Sequence, residues 1–163
     1  MQMEKKILLV DDEKDIREIL HLSLADMGYQ VLEAEDGDKA LNIFQKAQPP
    51  IVLTDIKMPN MDGIELLQKI KRENPETEVV MITGHGDMDL AVKALNHEAT
   101  DFINKPIHRS ALDAALHRAE ERLQAVKSDE VITATVRDDD IRVIDIKGNV
   151  NAASERELMA AYA

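Results

Sequence analysis

Short runs of apolar residues alternate along the chain with segments in which apolar residues recur every three or four positions. The runs are rich in Val, Ile and Leu and are followed by polar, Gly or Pro residues, as strands buried on both faces are. They therefore predict a parallel sheet with helices on both of its faces. The five runs are Ile7–Val10, Tyr29–Ala34, Ile51–Thr54, Val79–Ile82 and Ala99–Ile103.

The segments between the runs have the periodicity of amphipathic helices. Five strands alternating with five helices within residues 1–126 predict a single α/β domain. Because crossovers are right-handed, few topologies remain, and a flavodoxin-like, doubly wound parallel sheet with strand order 2-1-3-4-5 is the usual one at this size. The predicted apolar stripes are Ile16, Ile19, Leu20, Leu24 and Met27; Ala40, Leu41 and Phe44; Ile64, Leu67 and Ile70; Leu90, Ala91, Ala94 and Leu95; and Leu112, Ala115, Leu116, Ala119, Leu123 and Val126.

Composition excludes several classes of function. A formal net charge of -12 argues against nucleic-acid binding within this chain, since such binding depends on Lys and Arg that neutralise phosphates. The absence of cysteine excludes disulfides and thiol chemistry. The first apolar run is too short for a signal-peptide core, and no stretch approaches the roughly 20 apolar residues of a membrane span. The sequence therefore predicts a cytoplasmic protein without a membrane segment.

Polar residues with reactive side chains stand where four of the five predicted strands end. Asp11 and Asp12 follow the first strand, Asp55 the third, Thr83 the fourth, and Lys105 comes just after the fifth. Because the carboxyl ends of parallel strands share one edge of the sheet, we expect these five residues to lie close together. Strands one and three are neighbours at the switch point of this strand order, where open α/β sheets bind ligands.

Three carboxylates in one place repel one another, and a hard divalent cation resolves that conflict. Mg²⁺ suits a small oxygen-only site. With Asp55 as the attacking carboxylate, Lys105 on the phosphoryl oxygens and a hydrogen bond from Thr83, the parts needed for phosphoryl transfer are present. Taken singly, Asp12 fits a helix cap, Thr83 a strand end and Lys105 a surface lysine. Only their common position predicts a phosphoryl site.

The segments "ILLVDDE", "VLTDIKMPNMDGIELL", "VVMITGHGD" and "DFINKP" together resemble the receiver domain of two-component response regulators, from about Lys5 to Val126. The resemblance implies that Asp55 accepts a phosphoryl group from a sensor histidine kinase. It implies that Asp11, Asp12, Asp55 and the backbone carbonyl of Lys57 bind Mg²⁺. The side chains of Lys57 and His85 stand where members of the family tune the rate of dephosphorylation.

The same resemblance implies a conformational switch that alters protein–protein contacts. Lys105 would pair with the phosphoryl group, and the Lys105-Pro106 bond would be cis. Thr83 and Phe102 would form the switch pair: the hydroxyl moves to the phosphate, and the ring turns into the space that it leaves. The surface that changes would comprise the fourth helix, fifth strand and fifth helix, which could also form a homodimer.

The C-terminal segment, residues 127–163, has a different character. "KSDE" predicts a linker, and Val131–Val136 and Ile141–Ile146 predict two strands, followed by a helix that begins at Ser154. These 37 residues are too few for a core of their own, so we expect either the start of a second domain or a β-hairpin extension. The segment "DIRVIDIKGNVNAASERELMAAYA" resembles the opening of an anti-sigma-factor antagonist (STAS-type) domain.

Two other functions are compatible with parts of the pattern. A Mg²⁺-dependent phosphohydrolase that resembles the haloacid dehalogenase group would use an aspartyl-phosphate on a similar sheet. Its nucleophile would follow the first strand in an Asp-x-Asp pattern, whereas this chain has Asp11, Asp12 and Glu13. A receiver-like interaction module that is never phosphorylated would not need the complete set of site residues.

Overall fold

The first 138 residues contain a parallel sheet whose strands alternate with helices. The computed structural model describes residues 5–84 and 86–138. Within these residues the strand order is β2-β1-β3-β4-β5 and every pairing is parallel, which confirms the predicted flavodoxin-like fold. The elements are β1 Lys6–Val10, α1 Lys14–Asp26, β2 Gln30–Ala34, α2 Gly37–Ala47, β3 Ile51–Asp55, α3 Gly63–Glu73, β4 Glu78–Thr83, α4 Met88–Asn96, β5 Asp101–Asn104 and α5 Arg109–Asp138.

The core lies on both faces of the three central strands. Every residue of β3 and β4 is buried, and β1 is buried from Ile7 onward. Such strands cannot alternate polar and apolar residues, because helices cover both faces. Phe44 of α2 and Leu67 of α3 are fully buried, and both belong to the predicted apolar stripes. The packed sheet fixes the positions of the strand ends, where the sequence predicts the phosphoryl site.

Side-chain caps fix where two of the helices begin. The Asp36 carboxylate accepts a hydrogen bond of 2.8 Å from the backbone N–H of Lys39 at the start of α2. Asp62 accepts one of 2.8 Å from the N–H of Glu65 at the start of α3. Each bond satisfies a backbone donor that has no partner within the helix. The cap at Asp62 stabilises the first turn of α3, which begins just after the loop that follows β3.

One predicted core position of α1 faces solvent. Leu20 and Leu24 are buried, but Ile19 is 62% exposed. Adjacent helical residues point about 100° apart, so Ile19 turns away once Leu20 faces the sheet. The apolar stripe predicted for α1 was therefore too wide. On α4, Leu95 was also predicted to face the core and is 40% exposed.

The chain divides into two units, 1–119 and 120–163, and the sheet lies wholly within the first. The helix α5 runs to Asp138, through the predicted linker and the predicted strand Val131–Val136, so that strand was wrong. Residues 127–138 contain no Gly or Pro that would stop a helix. The second predicted strand, Ile141–Ile146, the helix at Ser154 and the STAS-like segment lie outside the described residues. The division into 1–126 and 127–163 stays a prediction.

Among the described residues, no helix combines the length and the apolar character that crossing a membrane requires.

Candidate functional site

The carboxyl ends of the strands bring the predicted residues to one edge of the sheet. Asp11 follows β1, Asp55 ends β3, Thr83 ends β4 and Lys105 follows β5. Since Val10 pairs with Thr54 in the register of β1 and β3, the residues that follow them are also neighbours. The Lys105 ammonium lies 3.1 Å from Oδ2 of Asp55. The structure thus brings together a lysine and an aspartate that are 50 residues apart in sequence.

Four acidic residues form a cluster beside this ion pair. One carboxylate oxygen from each of Asp11, Asp12, Glu13 and Asp55 lies within 4.8 Å of the others. Asp11 and Asp55 are buried, whereas Asp12 and Glu13 are exposed. Oδ2 of Asp11 is buried and has no hydrogen-bond partner within the described part of the chain. An oxygen-only cluster with a buried acceptor that no hydrogen bond satisfies fits a hard divalent cation such as Mg²⁺.

The pKa values of Asp11, Asp55 and Lys105 are all raised above their usual values. Burial, the largest cause, and the charge of Asp55 together raise the pKa of Asp11 to about 6, against the opposing effect of the backbone N–H of Glu13, 2.8 Å from Oδ1. Burial also raises the pKa of Asp55, against the opposing hydrogen bond from Lys105. Burial, the largest single cause, would lower the pKa of Lys105, but the hydrogen bond to Asp55 and the charges of Asp55, Asp11 and Glu13 together outweigh it, so the pKa is raised.

The Thr83 hydroxyl is directed toward β5. It donates a hydrogen bond of 2.7 Å to Oδ1 of Asn104 and lies 3.4 Å from the backbone carbonyl of Ile103. Thr83 itself is buried, and Phe102 is half-buried against the hydrophobic core. Sequence reasoning missed Asn104, although the register could have identified it: as the residue before Lys105, it lies directly opposite Thr83.

Residues 7–117 match the family model of the response regulator receiver domain. The chain belongs to this family. It is 43% identical over 124 residues to the nitrogen assimilation regulatory protein NtrX of Azorhizobium caulinodans, a match that covers 75% of this chain and 27% of that protein. It is 33% identical over 147 residues to the probable transcriptional regulator ycf27 of Guillardia theta, covering 90% of this chain and 58% of that protein. The receiver therefore spans only part of the length of these relatives.

Solved structures show the same likeness. The receiver domain of NtrX from Brucella abortus is 41% identical, with a TM-score of 0.65, over 72% of this chain and 98% of that one. A response regulator receiver domain from Clostridium thermocellum is 35% identical, with a TM-score of 0.71, over 73% of this chain and 96% of that one. The matched part of the chain is thus a receiver domain of two-component signalling. Its Lys105-Pro106 bond is cis, as the resemblance implies.

A guanidinium from α1 holds the backbone of this receiver at the acidic cluster. Nη1 of Arg17 donates a hydrogen bond of 2.7 Å to the carbonyl oxygen of Asp11. Nε of Arg17 lies 3.2 Å from Oε1 of Glu33, on β2. The peptide whose carbonyl is held joins Asp11 to Asp12, so Arg17 fixes how these two acidic residues are oriented. The sequence pattern did not single out Arg17.

Gly63 allows α3 to approach the backbone of Asp55. Its N–H donates a hydrogen bond of 2.7 Å to the carbonyl of Ile56. A Cβ at this position would lie 2.1 Å from the carbonyl oxygen of Asp55, which is closer than any real contact. Only glycine fits there without a shift of the backbone. Sequence reasoning treated Gly63 only as part of the turn before the helix.

An ion pair joins the loops that follow β3 and β4. Nζ of Lys57 lies 2.8 Å from Oδ1 of Asp87, the residue before α4. The Lys57 side chain is 68% exposed and that of Asp87 is 11% exposed. Asp87 was not predicted to take part in the site. His85 lies outside the described residues.

Proposed function

We propose that Asp55 is the phosphoacceptor of this receiver and that its phosphorylation switches protein–protein contacts. The observation that carries the proposal is the 3.1 Å contact between the Lys105 ammonium and the buried Asp55 carboxylate, beside the acidic cluster. Receiver domains are phosphorylated by sensor histidine kinases, so we propose such a kinase as the donor. Because the protein would have to meet such a kinase, we also propose that it is located in the cytoplasm.

In the proposed reaction an oxygen of the Asp55 carboxylate attacks the phosphorus of the donor. A bond forms between that oxygen and phosphorus as the bond from phosphorus to the donor's histidine nitrogen breaks. The carboxylate must be ionised to attack, and the hydrogen bond from Lys105 favours the ionised form against the effect of burial. Lys105 then pairs with a phosphoryl oxygen.

The acidic cluster fits a Mg²⁺ ion held by Asp11, Asp12, Asp55 and the backbone carbonyl of Lys57. When bound, Mg²⁺ neutralises charge on the phosphoryl oxygens. The buried Oδ2 of Asp11, which has no hydrogen-bond partner among the described residues, supports this assignment.

Two charge-assisted hydrogen bonds, from Thr83 and Lys105, would drive the switch. Each contributes at most about 1.5–3 kcal/mol, less the bond that it replaces, from Lys105 to Asp55 or from Thr83 to Asn104. A shift of ~5.5 kcal/mol turns a 1:99 equilibrium into 99:1. Together they suffice if the two states differ by a few kcal/mol. The ring of Phe102 would respond to the movement of Thr83. We propose the face formed by α4, β5 and α5 as the output surface and as a possible homodimer contact. The apolar side chains of Met88 and Val92 on α4 are exposed.

Phosphorylation with a small acyl phosphate and Mg²⁺, followed by intact mass measurement, tests the proposal. We expect one phosphoryl adduct on the wild type and on Asp38→Ala, an exposed control on α2, but none on Asp55→Ala. Peptide mapping separates the phosphohydrolase alternative, in which the adduct would be on Asp11. If the wild type stays unmodified, phosphorylation of Asp55 is excluded, and the alternative that remains is a receiver-like interaction module that is never phosphorylated. The decay of the adduct in the purified protein measures whether the receiver assists its own dephosphorylation.

For the C-terminal segment, we propose a role in contacts with other proteins. A STAS-like start in residues 140–163 would place the output of the chain in protein contacts and not in nucleic-acid binding. A binding titration with double-stranded DNA at low salt is expected to show no complex, because a net charge of -12 opposes it.

A further inference from the structure

Asn104 accepts the hydrogen bond of the Thr83 hydroxyl, the group that moves in the proposed switch. Its Oδ1 accepts the Thr83 hydroxyl at 2.7 Å, within the range of a good O–H···O bond. The backbones of the same two strands are also joined, since the N–H of Lys105 donates a 2.8 Å bond to the carbonyl of Thr83. The backbone bond fixes Thr83 in place, so the rotation of its side chain is governed by the bond to Asn104.

The second acceptor near the hydroxyl is much weaker. The carbonyl of Ile103 lies 3.4 Å away, beyond the usual range for a hydroxyl donor. Thr83 is buried, so a hydroxyl that loses Asn104 would be poorly satisfied, and a poorly satisfied buried donor is unfavourable. Removal of Asn104 would therefore raise the free energy of the unphosphorylated arrangement. It would leave the phosphorylated arrangement unchanged, because the hydroxyl then binds a phosphoryl oxygen.

We infer that Asn104 is a positioning residue that restrains the switch, because its side chain competes with the phosphoryl group for the Thr83 hydroxyl. The inference rests on the proposed function, in which that hydroxyl moves to the phosphoryl group on Asp55. Asn104 would act through Thr83 and would itself contact neither the donor nor the phosphoryl group. Its side chain is exposed, so it can release the hydroxyl and be solvated by water at little cost.

Fluorine NMR can follow the switch, since the chain contains two phenylalanines, Phe44 and Phe102. With 4-fluorophenylalanine incorporated, Phe102 reports the switch and the fully buried Phe44 reports the integrity of the fold. The probe ligand is beryllium fluoride with Mg²⁺ in excess, which imitates the phosphoryl group without turnover. Asn104→Ala and Asn104→Leu both remove the acceptor, and the second keeps the approximate shape of the side chain. Asn42→Ala, at an exposed position of α2, is the matched control.

Both Asn104 variants are expected to bind beryllium fluoride about two- to tenfold more tightly than the wild type, the range given by one net hydrogen bond. Asn42→Ala should bind as the wild type does. In a Thr83→Val background, which lacks the hydroxyl, the substitution at Asn104 should have no effect. If the wild type and both Asn104 variants bind beryllium fluoride equally tightly, Asn104 does not restrain the switch. The same holds if the substitution at Asn104 raises the affinity as much in the Thr83→Val background. A wild type whose Phe102 signal never responds would instead overturn the proposed function.

Discussion

Replacement of Asp11 with asparagine is expected to stabilise the protein at neutral pH in the absence of Mg²⁺. Asp11 is fully buried, and its carboxylate lies beside that of Asp55. Asparagine has nearly the same shape and keeps an oxygen that can accept the 2.8 Å bond from the N–H of Glu13. It removes the charge that burial and the neighbouring carboxylate disfavour. The variant therefore isolates the cost of holding this charge in the metal-free site.

The raised pKa of Asp11 gives the size of the effect. A rise from 3.8 in the unfolded chain to about 6 in the folded protein corresponds to about 3 kcal/mol. This shift already includes the attraction of Lys105, 3.9 Å away. Because the new amide group is also buried and costs free energy where its hydrogen bonds are incomplete, a gain of about 1–3 kcal/mol is expected. In a domain of this size the gain corresponds to a rise in Tm of roughly 3–12 °C.

The same shift predicts the dependence on pH. Since the pKa is raised on folding, the folded state binds the proton more tightly than the unfolded state does. The contribution of Asp11 is fully present below pH 3.8 and is lost as the pH rises through about 6. The difference in unfolding free energy between Asp11→Asn and the wild type should therefore be small near pH 4. It should grow until the pH exceeds 6 and then stay constant.

Urea unfolding in EDTA at a series of pH values measures this difference. Asp12→Asn, the exposed neighbour, is the control and should change the stability by less than about 0.5 kcal/mol. Addition of Mg²⁺ should stabilise the wild type more than Asp11→Asn, because a ligand that binds only the folded state stabilises it. A difference that does not vary between pH 4 and 7, or a variant less stable than the wild type at pH 7 in EDTA, would refute the reasoning.

Three further substitutions test other contacts of the site. Gly63→Ala places a Cβ 2.1 Å from the carbonyl oxygen of Asp55, so urea unfolding should show a loss of about 1–3 kcal/mol, and adduct formation should be slower. Arg17→Ala loses the 2.7 Å bond to the carbonyl of Asp11, and the Mg²⁺ concentration that half-saturates the rise in Tm should increase about tenfold. Lys57→Ala removes the exposed lysine of an ion pair and should cost less than about 1 kcal/mol, but the lifetime of the phosphoryl adduct, followed by mass, should change.

The sheet and the position of the site could be predicted from sequence because each depends on a local pattern. Apolar runs identify buried strands, and the right-handed crossover rule leaves few orders for five of them. Once the order is given, the residue after each strand lies on a known edge, which is how Asp55 and Lys105 could be placed together. The same logic failed at Ile19, where two apolar residues stand side by side and only one can face the sheet.

The hydrogen bonds of individual side chains could not be predicted in the same way. Arg17 and Asn104 are ordinary polar residues of a helix and a strand. The register places Asn104 opposite Thr83, but the atoms to which either side chain bonds depend on rotamers that no periodicity encodes. The tail shows a different limit. Val131–Val136 is rich in β-branched residues, which favour strands, yet the helix runs through it. Local propensity is a weak guide where no turn residue interrupts an existing helix.

The contacts around the site suggest how the balance of the switch is set. In the proposed switch, two groups beside Asp55 are each held by a residue that takes no part in the reaction: the carbonyl of Asp11 by Arg17, and the Thr83 hydroxyl by Asn104. A hydrogen bond of this kind contributes about 1 kcal/mol, a small fraction of domain stability but a large fraction of a switch whose states differ by a few kcal/mol. Changes at such supporting residues can therefore shift the response to phosphorylation several-fold while the fold and the reaction stay the same.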